Sequence, residues 1–311
     1  AVHFSPIYYL LLPFFFIFPS PVTLLMGQAA IIASGLIPLY LICKRHKLSN
    51  AAVILFSLCY VLLPSMANGC FFFLHENKFL TPLILWLAFA LEKNKWIPSV
   101  IFTLLLLAVK EDAPVYAAVL GLYFIVSRRN ISKGALVFVL SIIYFITVSY
   151  FMSKYGLGTM SYRYDNFIYD GSGSLFTVIK AVILNPIYTV HEAFDEEKIK
   201  FILQMLVPLA FMPLMIKKPS RIILLIPFIL LNLMSDYTYQ HNINFQYTYG
   251  SAAFLFYLMI LNYQDMKPGF RCKVLAVAAT SSIFMFMCNT YYRTSGYESY
   301  KTDKNNGAID I

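Results

Sequence analysis

Residues 134–152, GALVFVLSIIYFITVSYFM, run for 19 positions without a charge. A helix needs about 20 apolar residues to cross a hydrocarbon core of roughly 30 Å, so this stretch reads as a membrane span. Working outward, further apolar runs between polar breaks fall at 22–43, 51–67, 79–91, 96–109, 113–126, 200–216, 222–235, 246–262 and 274–290. The shorter ones are expected to extend into their flanks or to be broken helices packed inside a bundle, where irregular backbone escapes lipid. The expected fold is an all-α, polytopic membrane bundle of about 9–11 spans. It forms one transmembrane domain over 1–290, followed by a polar tail at 291–311 on the outer face.

Composition agrees. The chain is 59% hydrophobic and 13% charged, with mean hydropathy +0.69, against about 45–50% and about 25% for soluble domains. The net charge of +9 does not point to nucleic acid, because the basic residues are scattered between apolar runs instead of gathered on one wet face. Cys43, Cys59, Cys70, Cys272 and Cys288 have neither paired spacing nor a histidine cluster nearby, which excludes a zinc motif or a disulfide framework.

The charges separate by loop. One alternating set holds fourteen basic residues (Lys44, Arg45, Lys47, Lys93, Lys95, Arg128, Arg129, Lys133, Lys217, Lys218, Arg221, Lys267, Arg271 and Lys273) against the acids Glu92 and Asp265. The other set holds the remaining ten basic and thirteen acidic residues. The positive-inside rule makes the first set cytoplasmic in a plasma-membrane protein. Two further segments differ from plain spans. Residues 4–17 are apolar but suit a re-entrant or interfacial helix by length. Residues 174–190, within the outer loop 153–199, open at Ser174, align Leu175, Val178, Ile179, Val182 and Ile183, leave Lys180 off that face, and break at Pro186. They predict an amphipathic helix on the outer leaflet.

Polar diversity is an outer-face property. Lys110-Glu111-Asp112 interrupts the apolar stretch from Trp96 to Val126, and ionisable groups at membrane depth face a cavity or a partner. Asp112 before Ala113-Pro114 also suits a helix cap, whereas Glu111 has no capping role. His75-Glu76-Asn77-Lys78 gathers an imidazole, a carboxylate and an ammonium, which suit acid–base work or an interfacial loop. Asp236-Tyr237-Thr238-Tyr239-Gln240-His241 and Gln246-Tyr247 offer rings and amides that suit carbohydrate or head groups or an aromatic belt. Asp236 follows directly on an apolar run. His3 lies at the same outer boundary.

At these residues the chain resembles DUF2079, a family of predicted polytopic prokaryotic membrane proteins grouped distantly with the GT-C glycosyltransferases. The resemblance rests on His3-Phe4-Ser5-Pro6 with Pro19-Ser20-Pro21; on His75 with Pro82-Leu83 and Ala90-Leu91-Glu92; on Val109 through Ala113 with Gly121-Leu122-Tyr123; and on Asn232-Leu233, Ser235-Asp236-Tyr237 and Gln246-Tyr247. The family commonly shows His-Pro-Glu where this chain has His75-Glu76-Asn77, and His-Tyr where it has Gln246-Tyr247. The family also begins with another span and outer loop, so the resemblance implies a chain starting after them; GT-C enzymes usually carry a catalytic acid in that loop.

The resemblance implies a membrane transferase using a polyprenyl-phosphate-linked sugar at the outer face. Glu111, Asp112 and Asp236 become the catalytic candidates, and His3, His75, Glu76, Lys110, Tyr237, Gln240, His241, Gln246 and Tyr247 the substrate-binding ones. Membrane lipid is an expected partner. Glu111 and Asp112 leave room for a divalent metal, without a motif behind it. A transferase predicts an outer cavity lined by Lys110, Glu111 and His75. A transporter or lipid flippase predicts access from both faces, and a non-catalytic membrane protein predicts no cavity.

Overall fold

The computed structural model describes residues 3–70, 74–155, 161–168 and 175–305, and among them every regular element is helical. A 3-10 turn, Pro6–Leu10, leads into α1 (Leu12–Ile17), so the 4–17 stretch is two short turns and not one helix. Ser20 caps α2 (Pro21–Ser34), which runs on into α3 (Leu36–Arg45). Lys44 and Arg45 fill the last turn of α3, where cations complement the helix dipole. α4 (Asn50–Leu62) bends by 47° into α5 (Pro64–Cys70); Pro64 supplies the break because its ring fits poorly inside a continuing helix.

Four helices follow: α6 (Leu80–Glu92), α7 (Trp96–Leu107), α8 (Ala113–Val126) and α9 (Ile131–Tyr155). The pair α8 and α9 touches backbone to backbone. A Cβ on Gly121 would stand 2.7 Å from the Gly134 carbonyl oxygen, and one on Gly134 would stand 2.7 Å from the Gly121 oxygen. Close approach through small residues is how helices gain packing energy where lipid removes the hydrophobic drive.

The 153–199 segment contributes α10 (Leu175–Leu184) and α11 (Pro186–Ala193), split at Asn185 before Pro186 as expected; Ser174 lies outside the described residues. Val178 and Ala181 pack on Phe167, with Lys180 exposed. Ile183, Leu184 and Ile187 remain exposed, so the apolar stripe turns away from the protein at its far end. α12 (Glu196–Leu206) is capped by Asp195, which accepts from the Lys198 amide at 2.8 Å.

The expected 200–216 span is helical only to Leu206 before giving way to 3-10 turns. Ala210 and Phe211 are left-handed between Pro208 and Pro213, because prolines cannot sustain the helical ladder. Residues 219–233 are a 3-10 turn joined to a widened π turn, Phe228–Leu233. α13 (Tyr249–Asp265) is buried on every side from Tyr249 to Tyr263, as a helix apolar all round should be. α14 (Pro268–Asn305) closes the described chain.

The apolar runs therefore all carry helical backbone, but their lengths differ from plain spans. By length and composition three helices can cross alone: Pro21–Arg45, Ile131–Tyr155 and Pro268–Asn289, with the α4/α5 pair a fourth if the bend is one span. The rest are shorter; α6, α8 and α13 are largely buried, whereas α7 leaves Ile97, Ile101 and Leu104 exposed. The two loop sets lie at opposite ends of the bundle. At one end His46 Nδ1 meets Gln264 Oε1 at 2.7 Å, Arg45 Nε meets Glu92 at 3.2 Å and Asn130 bonds the Leu91 carbonyl at 3.0 Å. At the other, the Ile7 amide bonds the Ala108 carbonyl at 2.9 Å, Thr81 bonds the Tyr249 carbonyl at 2.6 Å and the Asp236 amide bonds the Arg163 carbonyl at 2.8 Å.

Candidate functional site

At the acidic-loop end, four separate pieces of chain bring their polar groups together: 3–8, 75–78, 110–112 and 163, beside the ring of Tyr247. The Ile7–Ala108 bond ties the first piece to the end of α7. His3 Nδ1 lies 2.8 Å from Glu111 Oε1, and the Phe4 amide donates to Glu111 Oε2 at 3.2 Å. A carboxylate only accepts, so this pair puts the imidazole proton on Nδ1 and leaves the Nε2 lone pair open in the neutral ring. The His3 side chain is 28% exposed and Glu111 only 8%; His3 is the accessible member.

Beside it, Glu76 is held from three directions. Tyr8 donates its hydroxyl to Oε2 at 2.7 Å, Lys110 Nζ stands 3.2 Å from Oε1, and His75 Nδ1 is 3.3 Å from Oε2. Lys110 is fully buried, and its ammonium also sits 5.3 Å from the centre of the Tyr247 ring. Arg163 lies 5.3 Å from that ring and 5.2 Å from the Tyr237 ring, and its Nη1 is 3.9 Å from Asp112 Oδ2. Tyr247 is thus an aromatic platform shared by two cations.

Electrostatics follow from this packing. Burial pushes the Glu76 carboxyl up, but Lys110, His75 and the Tyr8 hydroxyl together hold it below the usual range. Glu111 is likewise raised by burial and then held below its ordinary value by the His3 bond and Lys110. Asp112 goes the other way: burial raises it, Lys110 and Arg163 offset only part, and Glu111 adds repulsion. His75 is driven down to about 4 by burial, despite the Glu76 carboxylate beside it. The site therefore combines two firmly ionised carboxylates, a carboxyl that resists ionisation and an imidazole that resists charging.

Asp112 precedes α8 but makes no capping hydrogen bond; its side chain turns to Arg163 instead, which removes the cap reading. Asp236 stands apart from the cluster: it is exposed, and its contribution is a backbone amide on the Arg163 carbonyl. His241 pairs with Glu197 at 3.6 Å, away from the cluster. Gln240 and Gln246 are buried, each with an amide oxygen lacking a hydrogen-bond partner. Asn232, in the π turn, holds the segment that carries these residues by donating to the carbonyls of Gln240 at 2.6 Å and Tyr247 at 3.3 Å. π turns recur at functional sites, and here the widened turn sets the register of the aromatic platform.

The family model described as "Predicted membrane protein (DUF2079)" matches residues 1–303. The chain belongs to this family. No curated protein and no solved structure matches it. Two members of the polar cluster are not legible in sequence. Tyr8 lies inside a run that reads only as apolar, and Arg163 lies in the 153–199 segment. The one local signal for Arg163 is its place in Ser161-Tyr162-Arg163-Tyr164-Asp165, a cation between aromatics.

A cavity of about 320 Å³ opens against this cluster, lined by His3, Ser5, Tyr8, Tyr9 and Leu12 among others. Lys110, Glu111 and His75 are the expected lining, but none of the three lines this cavity, whose walls come from residues 3–12; it meets the carboxylates only through His3 and Tyr8, which are bonded to them. Among the described residues no three His, Cys, Asp or Glu side chains are grouped so as to hold a metal ion, so no step is routed through one.

Proposed function

We propose that the chain is a membrane transferase that accepts a polyprenyl-phosphate-linked sugar at the outer face, the basic loops being cytoplasmic. One observation carries it: His3 lines a cavity and is bonded behind it to Glu111, which lies in one polar cluster with buried Lys110 and Arg163. In this mechanism the acceptor hydroxyl gives its proton to His3 Nε2, while Glu111 fixes the tautomer and stabilises the imidazolium that forms. The acceptor oxygen bonds to the sugar carbon as the bond from that carbon to the phosphate oxygen breaks, and the lipid phosphate leaves with the electron pair. Lys110, Arg163 and His75 supply the positive and donor character that an anionic leaving group needs. Tyr237 and Tyr247 give the sugar an apolar face to stack on.

A transporter needs one site reachable from both faces. The buried helix α13 runs from beside Tyr247 to Gln264, about 24 Å at 1.5 Å per residue, and keeps the two ionic ends of the bundle apart. This favours chemistry at one end. Glu111→Gln is expected to lower transfer of a radiolabelled lipid-linked sugar by about 10²–10⁴-fold without loss of folded protein. Undiminished transfer in that variant would remove the His3–Glu111 pair from the mechanism.

A further inference from the structure

The basic-loop end holds a second cavity, of about 480 Å³, whose walls include Arg45, His46, Arg129 and Gln264 around Glu92. We infer that it binds a phosphate-bearing anion, foremost the head group of an acidic phospholipid lying against the bundle. The argument starts from hydrogen-bond supply. Glu92 Oε1 already takes Tyr257 at 2.7 Å, His46 at 2.9 Å and Arg129 at 3.4 Å, while Oε2 faces Arg45 at 3.2 Å. Two guanidinium groups carry five N–H donors each, and the one carboxylate they share cannot occupy them.

Accessibility points the same way. Arg45 and Arg129 are 37% and 31% exposed at the side chain, and Glu92 only 4%. The cavity therefore offers cation and donor surface and hides its acid. A phosphate, with several acceptor oxygens and a planar fit to guanidinium, is the complementary group. Val126, Ile131 and Ile97 are exposed at the same end of α8, α9 and α7, which gives acyl chains an apolar surface beside the head-group cavity. Basic pockets between helices at a membrane surface recognise acidic head groups by this combination.

The test is thermal unfolding of the purified chain with added phosphatidylglycerol, phosphatidylcholine or inorganic phosphate. Phosphatidylglycerol is expected to raise the midpoint and phosphatidylcholine to leave it unchanged. R129Q, and R45Q/R129Q where it folds, should weaken the phosphatidylglycerol affinity about tenfold or more, roughly the loss of one charge-assisted contact. K267Q/K273Q, which removes two exposed lysines outside the cavity, should keep it. Protection by inorganic phosphate alone identifies free phosphate as the source of the same chemistry. Equal shifts with both lipids and none with phosphate, or full affinity in R129Q, would overturn the inference.

Discussion

The two ends of the bundle solve the same electrostatic problem in opposite ways. At the basic end one carboxylate, Glu92, gathers Arg45 and His46 from the end of α3, Arg129 from the α8–α9 turn and the Tyr257 hydroxyl from α13. At the acidic end Glu76, Glu111 and Asp112 share Lys110 and Arg163, with the two imidazoles and Tyr8 making up the difference. An acid surrounded by surplus cations is a fastener, since every helix it touches loses a partner if it goes. Several acids sharing too few cations leave pKa values pushed apart, which is the condition for acid–base work.

The largest effect expected from this contrast is on stability. Glu92→Gln leaves the Arg45 and Arg129 guanidinium groups without their counter-charge; removing one partner of a buried pair costs about 3–5 kcal/mol, and the partial exposure of both favours the lower figure. Thermal unfolding in detergent should show a large drop in midpoint, whereas Glu111→Gln, whose amide oxygen still accepts from His3, should lower it by clearly less. A reversal of that order would break the contrast.

Next in size is a pH effect confined to the acidic end. His75 takes up a proton near 4 in the folded chain and near 6.5 when unfolded. Between those values the unfolded chain holds the extra proton, so stability is complete above about 6.5 and falls as pH drops toward 4, by an amount on the order of 3 kcal/mol. Below about 4.5 the protonation of Glu76 and Glu111, both held below their ordinary range, adds to the loss. His75→Gln should flatten the slope between 6.5 and 4.5 and leave the lower one. A slope unchanged in the variant assigns that window to another group.

The smallest effect is Tyr8→Phe. It removes a 2.7 Å bond to Glu76 and should cost about 1.5–3 kcal/mol, the range for hydrogen bonds to charged groups, at its lower end because Lys110 remains. Chemical denaturation that finds no difference would show that Glu76 is held by Lys110 alone.

Much of the frame was legible from residues. Uninterrupted apolar runs such as 134–152 declare a helix because lipid leaves backbone no other partner. Lys110-Glu111-Asp112 stood out because charge amid apolar sequence is costly. Helix lengths were less legible: residues 200–216 read as one span, yet Pro208 and Pro213 end the helix near Leu206 and leave Ala210 and Phe211 left-handed. The site was legible only where charge marked it. Tyr8 and Arg163 join through contacts with residues 68 and 51 positions away, Glu76 and Asp112, and no local pattern records such distances. Glu92 read as one acid among basic loops, because its four partners are brought to it by the fold.

The bond between His3 and Glu111 also has a consequence for biogenesis. The two residues are 108 positions apart, and α1 through α7 lie between them. At about 5–20 residues per second of synthesis, His3 waits on the order of ten seconds for its partner while the intervening helices enter the membrane. Tyr8 waits a shorter time, 68 positions, for Glu76, so the N-terminal segment is fastened to the bundle in two steps, the tyrosine before the histidine.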